Sequence, residues 1–380
     1  MPHLPRVAIL LDTSTSHGRG VLRGIAGFTR AHQLWETFVF KGRLEEYPQG
    51  MRNWTGSGVL VKNGNRQILR EVEKLDVPFV IIDDIEEQEN TPCHVGPDLV
   101  RAGRMAAEHF IDHGLRRLAF FGGSFDHPAL LIEGYQGKLS EQGLAAELHW
   151  REELVNDWET HRKQTAEWLK QLETPAGIFC VDDNQARVVL HCCNDLDIHV
   201  PEEIAILGLQ NDRTMCELVY PTLSSIDLDS ERIGYEAARL LDLRMAGENP
   251  PDQPLLIKPR GVMTRLSSEI NAVEDPLVAE AMVYVRHNIQ NNPTVAQIAE
   301  HLVVSRRCFE QRFRQAVRES PGQYLRRARV RQVKQLLATE LSLDDIAAKL
   351  SFRTVKALSE FFSRNSEVTL SDYRKLKSCD

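Results

Sequence analysis

The sequence lacks any run of about 18 consecutive apolar residues, which is the length that a transmembrane helix requires. Its start, MPHLPRVAILLDTS, holds one short apolar run that ends at Asp12. That run is too short for a signal peptide, and no cleavage site follows it. We therefore expect a protein that has no membrane span and acts in the cytoplasm, with a first β-strand near its N-terminus.

Paired cysteines and catalytic constellations are also missing. The chain has 7 cysteines, an odd number, and no two of them form a CxxC pair. This argues against a disulfide framework and against a zinc ribbon. No nucleophile stands with a base in a recognisable pattern, so we expect no enzyme activity, no cofactor and no bound metal.

Acidity is unevenly distributed along the chain. The whole protein has a net charge of -8. From Asp275 onward, however, 18 lysines and arginines oppose 12 aspartates and glutamates, a balance of +6 that leaves -14 for the preceding residues. This difference in sign predicts a segment that faces nucleic acid, joined to an acidic domain.

Short apolar runs alternate with helical patterns over the first 260 residues or so. The runs are continuous, which is typical of strands that are buried on both faces of a parallel sheet. Six of them lie at 7–12, 58–61, 77–84, 115–123, 176–183 and 202–209. We therefore predict an α/β fold with two doubly wound lobes at residues 1–263, a linker at 264–276 and an all-α domain at 277–380.

The helical C-terminal domain contains an internal repeat. Residues 294–324 resemble residues 342–373, and each copy begins with a capping pattern, Thr294 with Gln297 and Ser342 with Asp345. A single helix over 324–339 would connect the copies. Each copy is thus a candidate helix-turn-helix unit.

In the first copy, Phe309 and Phe313 are four residues apart and would anchor the second helix on the first. The remaining side chains of this helix point outward and include three arginines and a glutamine. Arginine can read guanine and glutamine can read adenine in the major groove, each through two hydrogen bonds. A solvated basic helix in a protein-binding bundle is the alternative.

The span 278–377 resembles the AraC/XylS-type DNA-binding domain, with "IA..L..S...F...F" followed by "SP..Y....R...V..LL". The resemblance implies two helix-turn-helix units whose recognition helices, 305–315 and 354–364, enter successive major grooves. Ser351 stands where the family usually has glycine. The DNA-facing residues so implied are Ser305, Arg306, Arg307, Glu310, Gln311, Arg314, Arg353, Thr354, Lys356 and Glu360.

The preceding residues resemble the effector-binding half of LacI-type repressors, which shares its fold with periplasmic sugar-binding proteins. The resemblance rests on 95–123, 132–143 and 204–241. It implies a ligand between the two lobes, at the carboxyl ends of the strands. Polar residues follow the strands there, and the predicted ligand-binding set is Asp12, Ser14, Arg19, Asp83, Ser124, Asp183, Gln210 and Asn211. The alternative is that they cap helices or end strands in solvent.

The two resemblances together imply a sugar-responsive transcription regulator. Its expected partners are double-stranded DNA, a sugar effector such as xylose, a second copy of the chain and, if it activates, RNA polymerase. Leu131 and Gln210 replace the arginine and aspartate that LacI-type domains usually carry, so the sequence does not predict which sugar binds. A sugar sensor whose helical bundle binds protein is the alternative function.

The sequence also contains two weaker motifs. The stretch HGRGVLRG at 17–24 has the spacing G-x-G-x-x-x-G and lies too far beyond its strand for a dinucleotide fingerprint. His109 and His113 share a helix face, but the order of acidic and histidine residues is not that of a zinc hydrolase. We expect neither motif to carry chemistry.

Overall fold

A computed structural model describes residues 4–40, 54–62, 66–83, 93–123, 128–151, 158–248, 253–269, 275–317, 319–337, 341–366, 368–370 and 372–374. The chain forms two compact units, Met1–Ile270 and Asn271–Asp380. The division lies within the stretch that the sequence analysis assigns to the linker. Among the described residues, no helix has both the length and the apolar composition needed to cross a bilayer.

The first unit contains two six-stranded sheets. Its described strands are β1 (Arg6–Leu10), β2 (Glu36–Phe40), β3 (Gly58–Lys62), β4 (Phe79–Ile82), β5 (His94–Pro97), β6 (Arg117–Gly123), β7 (Ala146–Arg151), β8 (Ala176–Cys180), β9 (Ile204–Leu209), β10 (Ser224–Asp227), β11 (Leu255–Ile257) and β12 (Gly261–Met263). One sheet has the order β11-β5-β4-β3-β1-β2 and the other β12-β10-β9-β8-β6-β7. All the pairings between described strands are parallel except that of β10 with β12. Each sheet is the centre of one lobe, so the predicted pair of doubly wound α/β lobes is confirmed.

Helices cover both sheets. Those described in the first unit are α1 (Ser16–Ala31), α2 (Arg66–Glu73), α3 (Leu99–Asp112), α4 (Ala129–Ser140), α5 (Trp158–Leu169), α6 (Asp183–Asp195), α7 (Arg213–Leu218) and α8 (Ser230–Met245). The chain passes between the lobes three times, from β5 to α3, from β10 to α8 and from β11 to β12. The carboxyl ends of the central strands in both lobes therefore border one cleft.

The glycines of HGRGVLRG allow close packing of helices. A Cβ placed on Gly20 would lie 2.7 Å from the Cβ of Ser230, and one on Gly24 would meet the backbone of α8. In return, a Cβ on Gly234 of α8 would meet the backbone of α1 at Val21. The two helices therefore approach each other as closely as their backbones permit, which is why small residues are needed there.

The second unit is helical. Its described helices are α9 (Pro276–Asn288), α10 (Val295–His301), α11 (Arg306–Val317), α12 (Pro321–Leu337), α13 (Leu343–Lys349) and α14 (Val355–Asn365), with a 3-10 turn at Ile289–Asn291. One hydrophobic cluster is built around Ile298, Phe309 and Phe313. A second is built around Ile346 and Phe362. The predicted pair of helix-turn-helix units is thus present, and each has a core of its own.

Candidate ligand cleft and nucleic-acid interface

On the first lobe, the loop after β1 presents Asp12 to the cleft. Its carboxylate accepts hydrogen bonds from the backbone N–H of Ser14 at 2.8 Å and from the Ser14 hydroxyl at 2.7 Å. Burial raises the pKa of Asp12, but these bonds and the charges of Lys62 and Arg19 outweigh it and lower the pKa overall. Arg19 donates to the carbonyl oxygens of Thr13 and Ser14, so it holds the same loop.

Asp83, at the end of β4, lies in a buried polar cluster. It is only 7% exposed, and its Oδ1 is 2.7 Å from Nε2 of His17, whose Nδ1 is 2.7 Å from the Ser230 hydroxyl. The Lys62 ammonium is 3.8 Å from Oδ2 of Asp83. Burial raises the pKa of Asp83, yet His17 and Lys62 bring it down to about 2, so the carboxylate is ionised at neutral pH.

The other Asp83 oxygen, Oδ2, is buried and has no hydrogen-bond partner in the protein. Buried carboxylate oxygens are rarely left in this state. A ligand hydroxyl would satisfy it. Neither His17 nor Lys62 was predicted, and the sequence offers no local signal for them because they come from other elements of the chain.

On the second lobe, Asp183 begins α6 and is only 4% exposed. Its two oxygens accept from the Ser225 hydroxyl at 2.5 Å and from the backbone N–H of Asp212 at 2.7 Å. Burial raises the pKa of Asp183 to about 7. The contacts of this carboxylate are therefore internal, and it shapes the wall by holding the loop that follows β9.

That loop carries Gln210 and Asn211, both with positive φ, at 92° and 52°. The Asn211 backbone N–H donates to the Ser225 hydroxyl at 2.9 Å, and its side-chain oxygen accepts from Arg265 at 2.8 Å. Gln210 is half-buried beside it. The loop is thus held from two sides, which fixes the position of its side chains at the cleft.

A guanidinium nitrogen of Arg19 on the first lobe lies 3.9 Å from a carboxylate oxygen of Asp212 on the second lobe. Of the eight residues in the predicted ligand-binding set, five lie at strand ends or on loops that border the cleft, and two, Arg19 and Asp183, lie in the first turns of α1 and α6. Ser124 lies outside the described residues. The ligand-binding roles of these residues stay predictions.

In the second unit, α10 and α11 form the first helix-turn-helix. Thr294 and Gln297 make the predicted capping box at the start of α10. The turn between the helices contains Val303, which has a φ of 55° and is 90% exposed. Ser305 caps α11 by accepting from the backbone N–H of Cys308 at 3.2 Å.

The outer face of α11 is polar and largely uncommitted. Arg306 is paired with Glu310 at 2.8 Å. Arg307, Gln311 and Arg314 are exposed, and within the described part of the chain no hydrogen bond or ion pair holds them. They are spaced by four and then three residues, which places them on one helix face. Arg312 instead turns back to Asp275 at 2.7 Å.

The second helix-turn-helix is formed by α13 and α14. Ser351 occupies its turn with a φ of 55°, and Thr354 caps α14 by accepting from the backbone N–H of Ala357 at 3.1 Å. Of the four predicted DNA-facing residues here, Arg353, Thr354, Lys356 and Glu360, all are exposed. Arg364, which the sequence analysis missed, is also exposed and lies 3.9 Å from Glu360. It shares the face of Glu360 one turn later, and this spacing was its available signal.

The two weaker motifs have structural explanations. His109 is buried, and its Nε2 is 2.7 Å from the Ser268 hydroxyl, while His113 Nδ1 is 2.6 Å from the carbonyl oxygen of His109. Burial lowers the pKa of His109 to about 4, so it is neutral at physiological pH. Throughout the described ranges, no three histidine, cysteine or acidic side chains are grouped as metal ligands.

Comparisons with known proteins match both units. A periplasmic binding protein-like domain matches residues 107–268, and a helix-turn-helix domain matches residues 298–376. The chain is 26% identical, over 98% of its length, to the xylose operon regulatory protein of Escherichia coli (strain K12), of which it covers 97%. The corresponding protein of Haemophilus influenzae is also 26% identical, over 97% of this chain and 98% of the relative.

Solved structures give the same result for the fold. The structure of the xylose-binding transcription activator xylR superposes with a TM-score of 0.80, at 24% identity over 98% of both chains. The complex of the transcriptional regulator CelR with cellobiose has a TM-score of 0.59 at 21% identity, over 70% of this chain and 86% of that one. The predicted combination of a periplasmic-binding-protein-like domain and a helix-turn-helix domain is therefore confirmed.

Proposed function

We propose that this chain, with its periplasmic-binding-protein-like and AraC-type helix-turn-helix domains, is a transcription regulator that binds DNA and responds to a sugar. The observation that carries the proposal is the likeness along nearly the whole chain to xylose operon regulatory proteins. These relatives are regulators rather than enzymes by name. The alternative of a helical bundle that binds protein is not favoured.

DNA binding is assigned to α11 and α14. Arg307, Gln311 and Arg314 form an exposed face with the donors and acceptors that read base edges in the major groove. In α14 the corresponding face offers Lys356 and Glu360, with Arg353 and Thr354 just before it. We assign most of the base reading to α11, because Glu360 repels phosphate and is drawn towards Arg364.

The effector site is assigned to the cleft of the first unit. Oδ2 of Asp83 lies 3.8 Å from the Lys62 ammonium but accepts no hydrogen bond, and a sugar hydroxyl that donates to this carboxylate would complete its hydrogen bonding. Asp12 and Asn211 supply further polar atoms on the two facing lobes. Xylose is the first candidate, since the relatives that match along the whole chain are named for it.

The remaining parts of the proposal concern partners and location. The regulator acts in the cytoplasm as a homodimer formed through the α/β unit. Binding of the ligand draws the two lobes together and changes the distance between the two helical DNA-binding domains of the dimer. RNA polymerase is its partner if it activates transcription.

The test of DNA binding is affinity for promoter fragments at several salt concentrations. Each phosphate contact adds about -0.9 to the slope of log K against log salt for duplex DNA. Arg307→Ala should weaken specific binding by about 1–3 kcal/mol if Arg307 reads a base. An equal loss on all sequences would instead mark a phosphate contact. Arg117→Ala removes one arginine from the first unit and is the matched control.

The test of effector binding is a thermal-shift screen of pentoses and hexoses. A ligand at 100 times its Kd stabilises the folded state by about 2.7 kcal/mol. Xylose should raise the melting temperature, and Asp83→Asn should abolish the shift. If the protein binds promoter DNA but none of the sugars raises its melting temperature, the proposed DNA-binding role stands and the proposal of a sugar effector is refuted. Binding without any salt dependence would refute the DNA-binding role.

A further inference from the structure

The two helix-turn-helix units meet at one position of α12. Ala328 packs in the hydrophobic cluster of the first helix-turn-helix, and Val330 packs in the cluster of the second helix-turn-helix. Arg329 lies between them and is only 9% exposed. The two cores are thus separated along the helix by a single buried cation.

The guanidinium of Arg329 contacts both units. One nitrogen donates to the side-chain oxygen of Asn292 at 2.6 Å, in the segment that precedes α10. The other donates to the carbonyl oxygen of Leu350 at 2.8 Å, in the turn between α13 and α14. Its central carbon lies 3.8 Å from the ring centre of Phe352 and 5.3 Å from that of Phe361.

This environment is unusual for a charged group. Burial lowers the pKa of Arg329, and among the described residues no carboxylate pairs with it. Its Nε is also buried without a partner. A buried cation costs stability unless hydrogen bonds and aromatic faces offset the loss of water. An apolar side chain of similar volume would avoid that cost, so stability alone does not account for an arginine here.

The geometry of the guanidinium accounts better for an arginine at position 329. The guanidinium is a flat, rigid fork whose donors point in fixed directions. Two of them are satisfied by groups that belong to different units, while the Phe352 ring holds the plane. A change in the distance between Asn292 and Leu350 would break one bond or the other.

We propose that Arg329 is a positioning residue that sets the separation and angle between α11 and α14, and hence the spacing of the two DNA segments that the protein accepts. The inference rests on the proposed DNA-binding function. Arg329 reads no base itself, because it is buried. Its effect is therefore on the dependence of binding on spacing rather than on the sequence that either helix prefers.

The experiment begins with a DNA site selected by the full-length protein from a random duplex library and mapped by footprinting. One or two base pairs are then inserted or removed between the two protected segments. Each added base pair rotates one segment against the other by about 35°, since a turn of B-DNA holds about 10–10.5 base pairs. Affinity is measured by fluorescence anisotropy on every duplex at one salt concentration.

We expect the wild-type protein to lose about tenfold or more in affinity per base pair of altered spacing, a loss similar to that from a mismatched base pair. Arg329→Met keeps the volume but removes the fork, and should bring the loss below about threefold while weakening binding at the native spacing. Arg329→Lys should behave like Arg329→Met, because an ammonium cannot reach both acceptors at once.

Asn292→Gly supplies a second route to the same result. Asn292 has a φ of 52°, which glycine adopts freely, so this change removes the acceptor without straining the backbone. Arg327→Met is the matched control. Arg327 lies two residues from Arg329, is exposed, and pairs at 2.6 Å with Glu319, which lies between α11 and α12. It should leave the spacing dependence as steep as in the wild type.

The outcomes are distinguishable. Reduced spacing dependence in Arg329→Met, or in Asn292→Gly if Arg329→Met does not fold by circular dichroism, supports the inference. Equal weakening on all spacings in the folded variants, with the wild-type ratio kept, overturns it and leaves Arg329 a structural residue. If the wild-type protein selects no DNA at all, the proposed function fails.

Discussion

Gly24 and Gly27, three residues apart in α1, should respond in opposite ways to the same added methyl group. A Cβ on Gly24 would lie 1.9 Å from the carbonyl oxygen of Glu231 and 2.7 Å from the backbone nitrogen of Tyr235, both in α8. A Cβ on Gly27 would have no atom within 4 Å. We therefore expect Gly24→Ala to destabilise the first unit and Gly27→Ala to stabilise it.

The magnitudes follow from these contacts. Relieving the clash at Gly24 requires the two helix backbones to separate by about 1.5 Å, and overpacking of this kind costs about 3 kcal/mol or more. At Gly27 the only change is in helix propensity, where alanine is favoured over glycine by about 1 kcal/mol. For a unit of this size, the melting temperature should fall by about 6–12 °C in the first variant and rise by about 2–4 °C in the second.

Tryptophan fluorescence is a suitable probe, because all 5 tryptophans lie within the first unit. Thermal unfolding of the full-length chain followed by this signal therefore reports on the first unit alone. Gly134→Ala and Gly137→Ala form a matched pair in the second lobe, where a Cβ would respectively meet the backbone of Val100 and meet nothing within 4 Å. A Gly24→Ala variant as stable as the wild type would refute the proposed helix packing.

Two further predictions concern single groups. Burial raises the pKa of Asp183 to about 7, above its value near 3.8 in the unfolded chain. The contribution of this group to the free energy of unfolding is therefore complete below about pH 4 and is lost as the pH rises through about 7. Urea unfolding followed by tryptophan fluorescence should show a decline of up to about 1.4 kcal/mol per pH unit over that range, which Asp183→Asn removes; an unchanged slope in the variant would contradict the assignment. Thr294→Ala, which removes one half of a capping box, should destabilise the second unit by about 1 kcal/mol in circular dichroism melts, whereas Ser363→Ala, at an exposed position inside α14, should change little. Equal effects of the two changes would argue against the cap.

The central strands could be predicted from the sequence because burial on both faces leaves an uninterrupted apolar run, as in β1, β8 and β9. The edge strand β2, with the sequence ETFVF, was missed because it is half exposed and carries polar residues. The three-residue strands β11 and β12 were missed because so short a pattern resembles a loop. Edge and crossover strands depend on what pairs with them, which lies far away in the chain.

The same limit applies to the candidate sites. The aspartates of the cleft could be predicted because parallel topology brings the carboxyl ends of strands together. Their partners could not, since His17 is 66 residues from Asp83 and Arg265 is 54 residues from Asn211. In the second unit the prediction was closer, with 305–315 against Arg306–Val317 for α11, because capping and hydrophobic spacing are local signals.

The turns of the two helix-turn-helix units contain residues whose substitution could raise the stability of the domain. Val303 and Ser351 both adopt the left-handed conformation, which costs a residue other than glycine about 1–2 kcal/mol. The helices on either side hold these turns in place against that cost. Glycine at either position would relieve the strain at the expense of a more flexible unfolded chain. Substitution of these two turn residues could therefore stabilise the domain without altering a core side chain or a side chain that faces DNA.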